Sequence, residues 1–173
     1  MSVQKFSSAE VGLDHLYQIS RIVTQTSEWK PALNEIASLV RTIFIFDNLV
    51  VYLADPARHD LDVMYARAMG RGRSAEADIS WGEVVANQIM DNPQIVIQEP
   101  NSGDTGKDRL ERPYILGIPL KVATRTLGAI VFIRFGSPHF EPEAVRLAEF
   151  IAQQIALLVE RQNLQQVYDM LEQ

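Results

Sequence analysis

Residues 101–109 read NSGDTGKDR and contain residue types that are typical of a phosphate-binding loop. In the G-x-x-x-x-G-K-[ST] pattern, backbone N–H groups surround the phosphates and the lysine reaches the outer ones. Here Asn101 stands where the first glycine belongs, and Asp108 replaces the hydroxyl residue after Lys107. Because an aspartate repels phosphate, the spacing predicts a polar loop. An enzyme that uses Gly106-Lys107 is a weaker alternative.

Histidine and cysteine usage gives no sign of a metal centre or of nucleophilic catalysis. His15, His59 and His139 lie far apart in the chain, and no two of them have the spacing of metal ligands. A G-x-S-x-G motif is absent, and no two carboxylates stand out as an acid–base pair. The chain has no cysteine, which excludes thiol nucleophiles, thiolate metal ligands and disulfides. We therefore expect no metal and no catalytic residue.

Arg67, Arg71 and Arg73 form a basic cluster in an otherwise acidic chain. Arginine binds carboxylates and phosphates through two parallel hydrogen bonds, so the cluster is a candidate site for an anionic ligand. For Arg71 and Arg73 the alternative is a solvated connector. Arg67 lies in a predicted strand, where alternation places it on the same side as Leu61 and Tyr65. It is therefore the candidate ligand residue of the three.

Two aromatic residues are further candidates for the wall of a ligand pocket. Trp81 lies at the start of a predicted helix, and Tyr114 opens a predicted strand. Aromatic side chains with a polar tip suit ligand pockets, because they offer both apolar area and a hydrogen bond. The alternative for both residues is ordinary core packing.

Composition and charge limit the class of protein. The chain has 173 residues, of which 47% are hydrophobic and 22% charged, as expected for one soluble domain. Its formal net charge of −6 argues against nucleic acid as a partner, since that needs a basic surface. No apolar run is long enough to cross a membrane, and the start lacks the apolar core of a secretion signal. We expect a cytoplasmic protein that binds neither nucleic acid nor a membrane.

Apolar periodicity predicts the helices and strands that position the candidate residues. Helices are predicted from about Ser7 to Thr24, from near Pro31, from Ser80 to before Asn92, and from Pro142 to the end. Strands are predicted over residues 48–55, 61–69, 94–99, 114–122 and 126–135. The last two strands are too close in sequence for a crossover, so they pair as an antiparallel hairpin. The fold class is α+β, with a mainly antiparallel central sheet of about five to six strands, covering helices and a long C-terminal helix.

Four stretches, in their order and spacing, resemble the GAF domain. VVYLADPARHDLDVMYARAMG is similar to the first hairpin of that family, and ISWGEVVANQIMDNPQIVI is similar to its pocket-side helix and the following strand. ILGIPLKVATRTLGAIVFIRF resembles the central hairpin, with Pro119-Leu120 and Leu127-Gly128 at positions where the family often has them. FEPEAVRLAEFIAQQIALLVERQNLQ resembles the closing helix. The resemblance covers about residues 11–165.

The resemblance implies a small-molecule sensory domain of a signalling protein. Members of the family bind cyclic nucleotides, linear tetrapyrroles, haem or small acids, or have no known ligand, so the cofactor here is unknown. A cysteine-linked bilin and the thiol-dependent free methionine sulfoxide reductase activity are excluded, because the chain has no cysteine. The signature of cyclic-nucleotide-binding members is missing, since Leu49 follows Asn48. By the same resemblance, the segment with Asn101, Asp104 and Lys107 covers the pocket as a lid.

The predicted last helix carries two apolar stripes. One includes Leu147, Ile151 and Leu158, and we expect it to pack on the sheet. The second consists of Phe150, Leu157, Leu164 and Leu171, which recur every seven residues, with Val167 at the matching intermediate position. A helix with two apolar faces needs two partners, so the second stripe predicts a parallel coiled coil with another copy of the chain. The alternative is that the helix end packs on the chain's own first helix.

Together these features predict a non-catalytic, cytoplasmic sensor domain that spans residues 1–173 and forms a homodimer. An unidentified small molecule would bind between the sheet and the helix at residues 81–91. Residues from about 160 to 173 would begin a coiled-coil linker that relays the signal to a C-terminal output module, such as a kinase or a cyclase. The alternative is a dimerisation scaffold without a ligand.

Overall fold

The computed structural model describes residues 8–58, 60–68, 75–101, 103, 108–136 and 139–173. Helices and strands alternate irregularly along the chain. The elements are α1 (Ser8–Gln25), α2 (Trp29–Val40), β1 (Asn48–Ala54), β2 (Leu61–Ala68), α3 (Ala75–Asp91), β3 (Val96–Gln98), a 3-10 turn (Arg109–Glu111), β4 (Pro113–Val122), β5 (Arg125–Phe135) and α4 (Pro142–Leu171).

The five strands of the described residues form one sheet in the order β2-β1-β5-β4-β3. Every neighbouring pair is antiparallel. This confirms the predicted fold class and the predicted hairpin of β4 and β5. The sheet is centred on β5, which pairs with β4 on one side and with β1, a strand distant in sequence, on the other.

Alternation along the strands divides the core into two layers. From β1, Leu49 and Val51 join a cluster with α1, α2 and α4, whereas Val50 and Tyr52 join a cluster with α3. Three helices therefore cover one face of the sheet and α3 covers the other. We call these the three-helix face and the α3 face. Because β1 is apolar on both sides, it occupies a central position, as its sequence predicts.

The start of α3 differs from the prediction. The Ser80-Trp81-Gly82-Glu83 pattern indicated a helix that begins at Ser80, but the helix begins at Ala75. Residues 75–77 are Ala, Glu and Ala, which favour helix formation and extend the helix by more than a turn before Ser80. A capping pattern is a local signal, and inside a longer helix it marks no boundary.

The last helix, α4, is the longest element. It begins at Pro142, a residue whose fixed φ suits the first helical turn, and it ends at Leu171. Its 30 residues extend about 45 Å at ~1.5 Å per residue. Every residue from 163 to 173 is exposed, so the last turns project beyond the core of the domain.

Candidate functional site

Trp81 lies on the α3 face, where the sequence placed a ligand pocket. Its ring is partly buried and packs against the ring of Phe135 at a centroid distance of 5.7 Å. Next to it, the hydroxyl of Tyr52 donates a hydrogen bond to the carbonyl of Ile79 at 2.6 Å. Tyr52 is almost fully buried at the middle of this face. A strand and a helix are therefore joined here by one buried hydroxyl.

Two glycines let α3 pack directly on the sheet. A Cβ added to Gly117 of β4 would stand 2.4 Å from Val85 Cγ1 and 2.8 Å from Ile89 Cδ1. A Cβ added to Gly82 would stand 2.4 Å from the hydroxyl oxygen of Tyr52. Such distances leave no room for a further heavy atom at these two points. Between Gly82 and Ile89, buried side chains of α3 and of the sheet form one apolar cluster.

The buried hydroxyl of Tyr52 is expected to make the stability of the domain sensitive to high pH. Burial first, and then the nearby carboxylate of Glu83, raise the pKa of Tyr52 above its usual 10.0. In the unfolded chain this tyrosine ionises near pH 10, while the folded state keeps its proton. The free energy of unfolding should therefore fall above pH 10, by about 1.4 kcal/mol per pH unit for this group.

Tyr52→Phe is expected to remove this contribution and to reduce the slope of stability against pH above 10. At neutral pH the substitution should cost about 1 kcal/mol, because the carbonyl of Ile79 loses its donor. Urea unfolding at several pH values measures both effects. An alkaline slope that is the same in Tyr52→Phe and in the natural chain would contradict the prediction.

Arg67 and Tyr114 lie on the three-helix face, so the structure does not bring them together with Trp81. The guanidinium of Arg67 donates to the carbonyl of Asn34 at 2.9 Å and to Ser38 Oγ at 3.1 Å, both in α2. Tyr114 is partly buried against the core of α1, α2 and α4. Whether these residues bind a ligand stays a prediction.

A bulge in β2 explains the position of Arg67. The register of β1 and β2 shifts between Val51 and Tyr52, which pair with Tyr65 and Val63 and leave Met64 as the extra residue. The shift reverses the alternation, so Leu61 packs on the α3 face and Tyr65 on the three-helix face. The expectation that Leu61 and Arg67 share one side of the strand is therefore wrong.

The predicted lid segment is described only in part. Asn101 is exposed. Asp104 and Lys107 lie outside the described residues, as do His59, Arg71 and Arg73. The segment after residue 107 is described, and its Arg109 contacts Asp47 near the start of β1.

A cavity of about 610 Å³ lies on the three-helix face, between α1, the first turns of α4 and the segment before β1. This volume is within the range of small-molecule pockets. Its apolar lining includes Leu16, Phe44, Leu147 and Phe150. Its charged and titratable lining residues are His15, Arg134, His139, Glu141, Glu143 and Arg146. A molecule in this cavity would contact both terminal helices.

The second stripe of α4 is exposed along most of its length. The exposed fractions are 55% for Leu157, 62% for Leu164, 51% for Val167 and 81% for Leu171. Phe150 differs from these four residues, because it is partly buried against the core of its own domain. On α1, Leu13 and Tyr17 are 69% and 60% exposed. Both terminal helices therefore present large apolar side chains to solvent.

The described residues contain no group of histidine, aspartate or glutamate side chains that could hold a metal ion. None of the four described helices combines the length and the hydropathy that a bilayer crossing requires.

A family model for the GAF domain matches residues 28–159, which is more than half of the chain. The chain belongs to the GAF domain family. The match contains the whole sheet and the first part of α4, so it confirms the resemblance of the four sequence stretches. GAF domains are in general sensory or regulatory domains.

Solved structures with the same fold include other GAF domains. The GAF domain of a phosphoenolpyruvate-protein phosphotransferase from Coxiella burnetii has a TM-score of 0.71 and 18% identity, over 93% of this chain and 99% of that one. The GAF domain of the corresponding Acinetobacter protein has a TM-score of 0.69 and 15% identity, over 90% and 95%. At these identities the likeness shows the fold alone.

One structural neighbour is an enzyme. The free methionine-R-sulfoxide reductase from Neisseria meningitidis, solved in complex with its substrate, has a TM-score of 0.62 and 18% identity, over 94% of this chain and 99% of that one. Comparison with curated proteins gives no significant match.

A polar cluster at the end of β5 was missed by the sequence analysis. It consists of Asp47, Arg109 and Arg134, of which Asp47 and Arg134 are buried. The available signal was Arg134 itself, a charged residue within the apolar run TLGAIVFIRF. A buried charge needs partners, so this position could have indicated a polar contact. The identity of those partners could not be read from the sequence.

Proposed function

We propose that this GAF domain is a non-catalytic, cytoplasmic regulatory module that forms a homodimer through α1 and α4. A signal would pass along α4 to an output module, such as a kinase or a cyclase. The observation that carries the proposal is the row of exposed apolar side chains on α4. A thiol-dependent reaction like that of the reductase branch is excluded, because the chain has no cysteine.

The spacing of the exposed residues suits a parallel pairing of two helices. Leu157, Leu164 and Leu171 are seven residues apart, and two helix turns of a coiled coil take seven residues. Val167 occupies the intermediate position between the last two leucines. Covering side chains that are about half exposed contributes about 1–2 kcal/mol each. The same stripe in a second copy is a partner of matching shape and chemistry.

The exposed residues of α1 extend this surface. Leu13 and Tyr17 are four residues apart and therefore lie on one side of the helix. We infer that α1 and α4 of two copies form a four-helix bundle, with the coiled coil of residues 160–173 continuing beyond it.

The sensing part of the proposal needs a small-molecule site that acts on α4. We assign it to the cavity on the three-helix face, because its walls include both α1 and α4. A bound molecule that differs in affinity between two arrangements of these helices would shift the population of the arrangements. The lining favours a molecule with an apolar body and polar groups at one end.

Truncation tests the dimer directly. A chain that ends at Arg161 lacks the last third of α4, which contains Leu164, Val167 and Leu171. We expect the full chain to be a dimer and the shortened chain a monomer in light scattering coupled to size-exclusion chromatography. A full chain that stays monomeric at high concentration, or a shortened chain that still dimerises equally well, would overturn the proposal.

A second function, a dimerisation scaffold without a ligand, is favoured by the packing on the α3 face. Gly82 and Gly117 bring α3 so close to the sheet that an added Cβ at either position would stand 2.4 Å from a side-chain atom across the interface. Native mass spectrometry of protein purified from its own host separates the two functions. A dimer with a bound small molecule supports the sensor, and a dimer without any bound molecule supports the scaffold.

A further inference from the structure

Arg109, in the turn before β4, forms hydrogen bonds with residues at the end of β5 and before β1. Its Nε donates a hydrogen bond to the carbonyl of Phe135 at 2.8 Å. Its Nη2 lies 3.2 and 3.3 Å from the two carboxylate oxygens of Asp47. Asp47 in turn accepts a hydrogen bond from the backbone N–H of Phe135 at 2.8 Å. One side chain from the turn therefore holds two segments that are distant in sequence.

Arg134 continues this connection towards α4. Its Nε donates to the carbonyl of Ile45 at 2.6 Å, and its Nη1 donates to the carbonyl of His139 at 3.2 Å. The guanidinium also lies over the ring of Phe140, 4.6 Å from the centroid. His139 stands two residues before Glu141, the residue that precedes α4. The segment of residues 45–47 thus lies between the two arginines, with Arg109 at one end and Arg134 at the other.

The two arginines differ in how easily their contacts can break. The side chain of Arg109 is 60% exposed, whereas Arg134 is buried. An exposed ion pair is weak, because water and salt compete with it, whereas breaking a buried contact leaves an unpaired charge. The side chain of Asp47 is 12% exposed and keeps the hydrogen bond from the N–H of Phe135 when Arg109 leaves. We therefore expect the contacts of Arg109 to open more readily than those of Arg134.

Gly136 allows Arg109 to lie against the backbone. Its φ of +77° is in the region that favours glycine, and an added Cβ would stand 3.1 Å from Arg109 Cγ. The N–H of Gly136 also donates to the carbonyl of Arg112 at 3.1 Å, in the same turn. The turn of residues 109–112 and the end of β5 are thus in direct contact.

We propose that Arg109 is a releasable latch through which the turn before β4 controls the order of the first turn of α4. When its guanidinium leaves Asp47 and Phe135, the end of β5 and the segment of residues 45–47 are held less firmly. Arg134 transmits this change, because it contacts both Ile45 and His139. The latch acts within one copy of the chain, so it does not depend on dimerisation or on a ligand.

Hydrogen exchange measured by NMR on the full chain tests the latch. In Arg109→Met, exchange should become at least tenfold faster at Phe135 and Gly136. The same increase should appear at Val145, whose N–H donates to the carbonyl of Glu141 at 3.1 Å in the first turn of α4. Arg109→Lys keeps the charge, but its single ammonium group cannot bind the carbonyl of Phe135 and the carboxylate of Asp47 with the two separate nitrogens that arginine uses. Exchange in this variant should therefore be accelerated as in Arg109→Met.

Arg125→Met is the matched control. Arg125 is also an exposed arginine and forms an ion pair with Glu160, in the middle of α4. Its removal should leave the exchange of Val145 unchanged. Faster exchange at Phe135 and Gly136 without a change at Val145 would show a local contact and would overturn the latch. No change at any of the three amides would also overturn it.

Asp47→Asn gives a second test with a variant that keeps the shape of the side chain. It should accelerate the same three amides, and the double variant with Arg109→Met should add little, because both changes break one contact. Additive effects of the two substitutions would mean that Asp47 and Arg109 act separately, which would contradict the proposal. Far-UV circular dichroism checks that each variant is folded.

Discussion

Replacing both Leu157 and Leu164 with aspartate is expected to convert the proposed dimer into a monomer. Because both leucines are already partly buried in a single copy, covering each of them in an interface contributes about 1–2 kcal/mol, and the dimer loses four of them. Aspartates in their place would also repel each other across the interface. The dissociation constant of the dimer should rise by at least about a thousandfold.

The same substitutions should leave the fold of one copy intact. In a single chain Leu157 and Leu164 are 55% and 62% exposed, so neither supports the core of its own domain. A matched control replaces Gln162 and Gln166 with aspartate, because both lie within α4. At ~100° per residue each of them is at least about 140° around the helix from Leu157 and from Leu164.

Sedimentation equilibrium of the two double variants measures the effect. The control should keep the dissociation constant of the natural chain to within a few-fold. A leucine double variant with an unchanged dissociation constant would show that the exposed stripe does not hold the dimer. In that case the proposed relay along α4 would lose its support as well.

Gly128→Ala is expected to destabilise the domain by at least about 3 kcal/mol. The added Cβ would stand 1.9 Å from the carbonyl oxygen of Tyr52 and 2.9 Å from Cα of Leu53. Both are backbone atoms of β1, so no side-chain rotation can relieve the clash. Since β1 and β5 form the centre of the sheet, their separation would disturb both layers of the core.

Two other glycines provide graded controls for this prediction. At Gly117 the added Cβ would meet the side chains of Val85 and Ile89, which can move, so we expect a smaller loss of about 1–3 kcal/mol. At Gly12, within α1, no atom lies within 4 Å of the added Cβ. Gly12→Ala should therefore stabilise the domain, by up to about 1 kcal/mol, through higher helix propensity.

Urea unfolding of the three variants gives the order of their stabilities. The expected order is Gly12→Ala as the most stable, then Gly117→Ala, then Gly128→Ala. A Gly128→Ala variant as stable as the natural chain would contradict the close approach of β1 and β5.

The local periodicity of the chain was enough to predict most elements and the fold class. Strands such as β1 and β5 are recognisable because neighbouring side chains point to opposite faces, and α4 because its apolar residues follow the helical period. The exposed stripe of α4 was also visible, since a second apolar face appears in the sequence before any partner is known. The order and spacing of the four stretches predicted the GAF family, which the family match confirms.

Other features arise only when distant segments meet. The reversal of alternation in β2 depends on a bulge that forms when the strand pairs with β1, so the sequence alone wrongly put Leu61 and Arg67 on one side of the strand. The contact of Asp47 with Arg109 joins residues 62 positions apart, and that of Arg134 with Ile45 joins residues 89 apart. The close approach of α3 to the sheet depends on which atoms face Gly82 and Gly117.

The sequence by itself determined the helices, the strands, the family and the two apolar faces of α4, because backbone geometry gives each element a short period that neighbouring residues carry. The tertiary structure decided which side chains meet at the end of β5, where the cavity lies and how closely α3 packs. Those features depend on distances between segments, and the sheet order β2-β1-β5-β4-β3 fixes these distances only after the whole chain has folded.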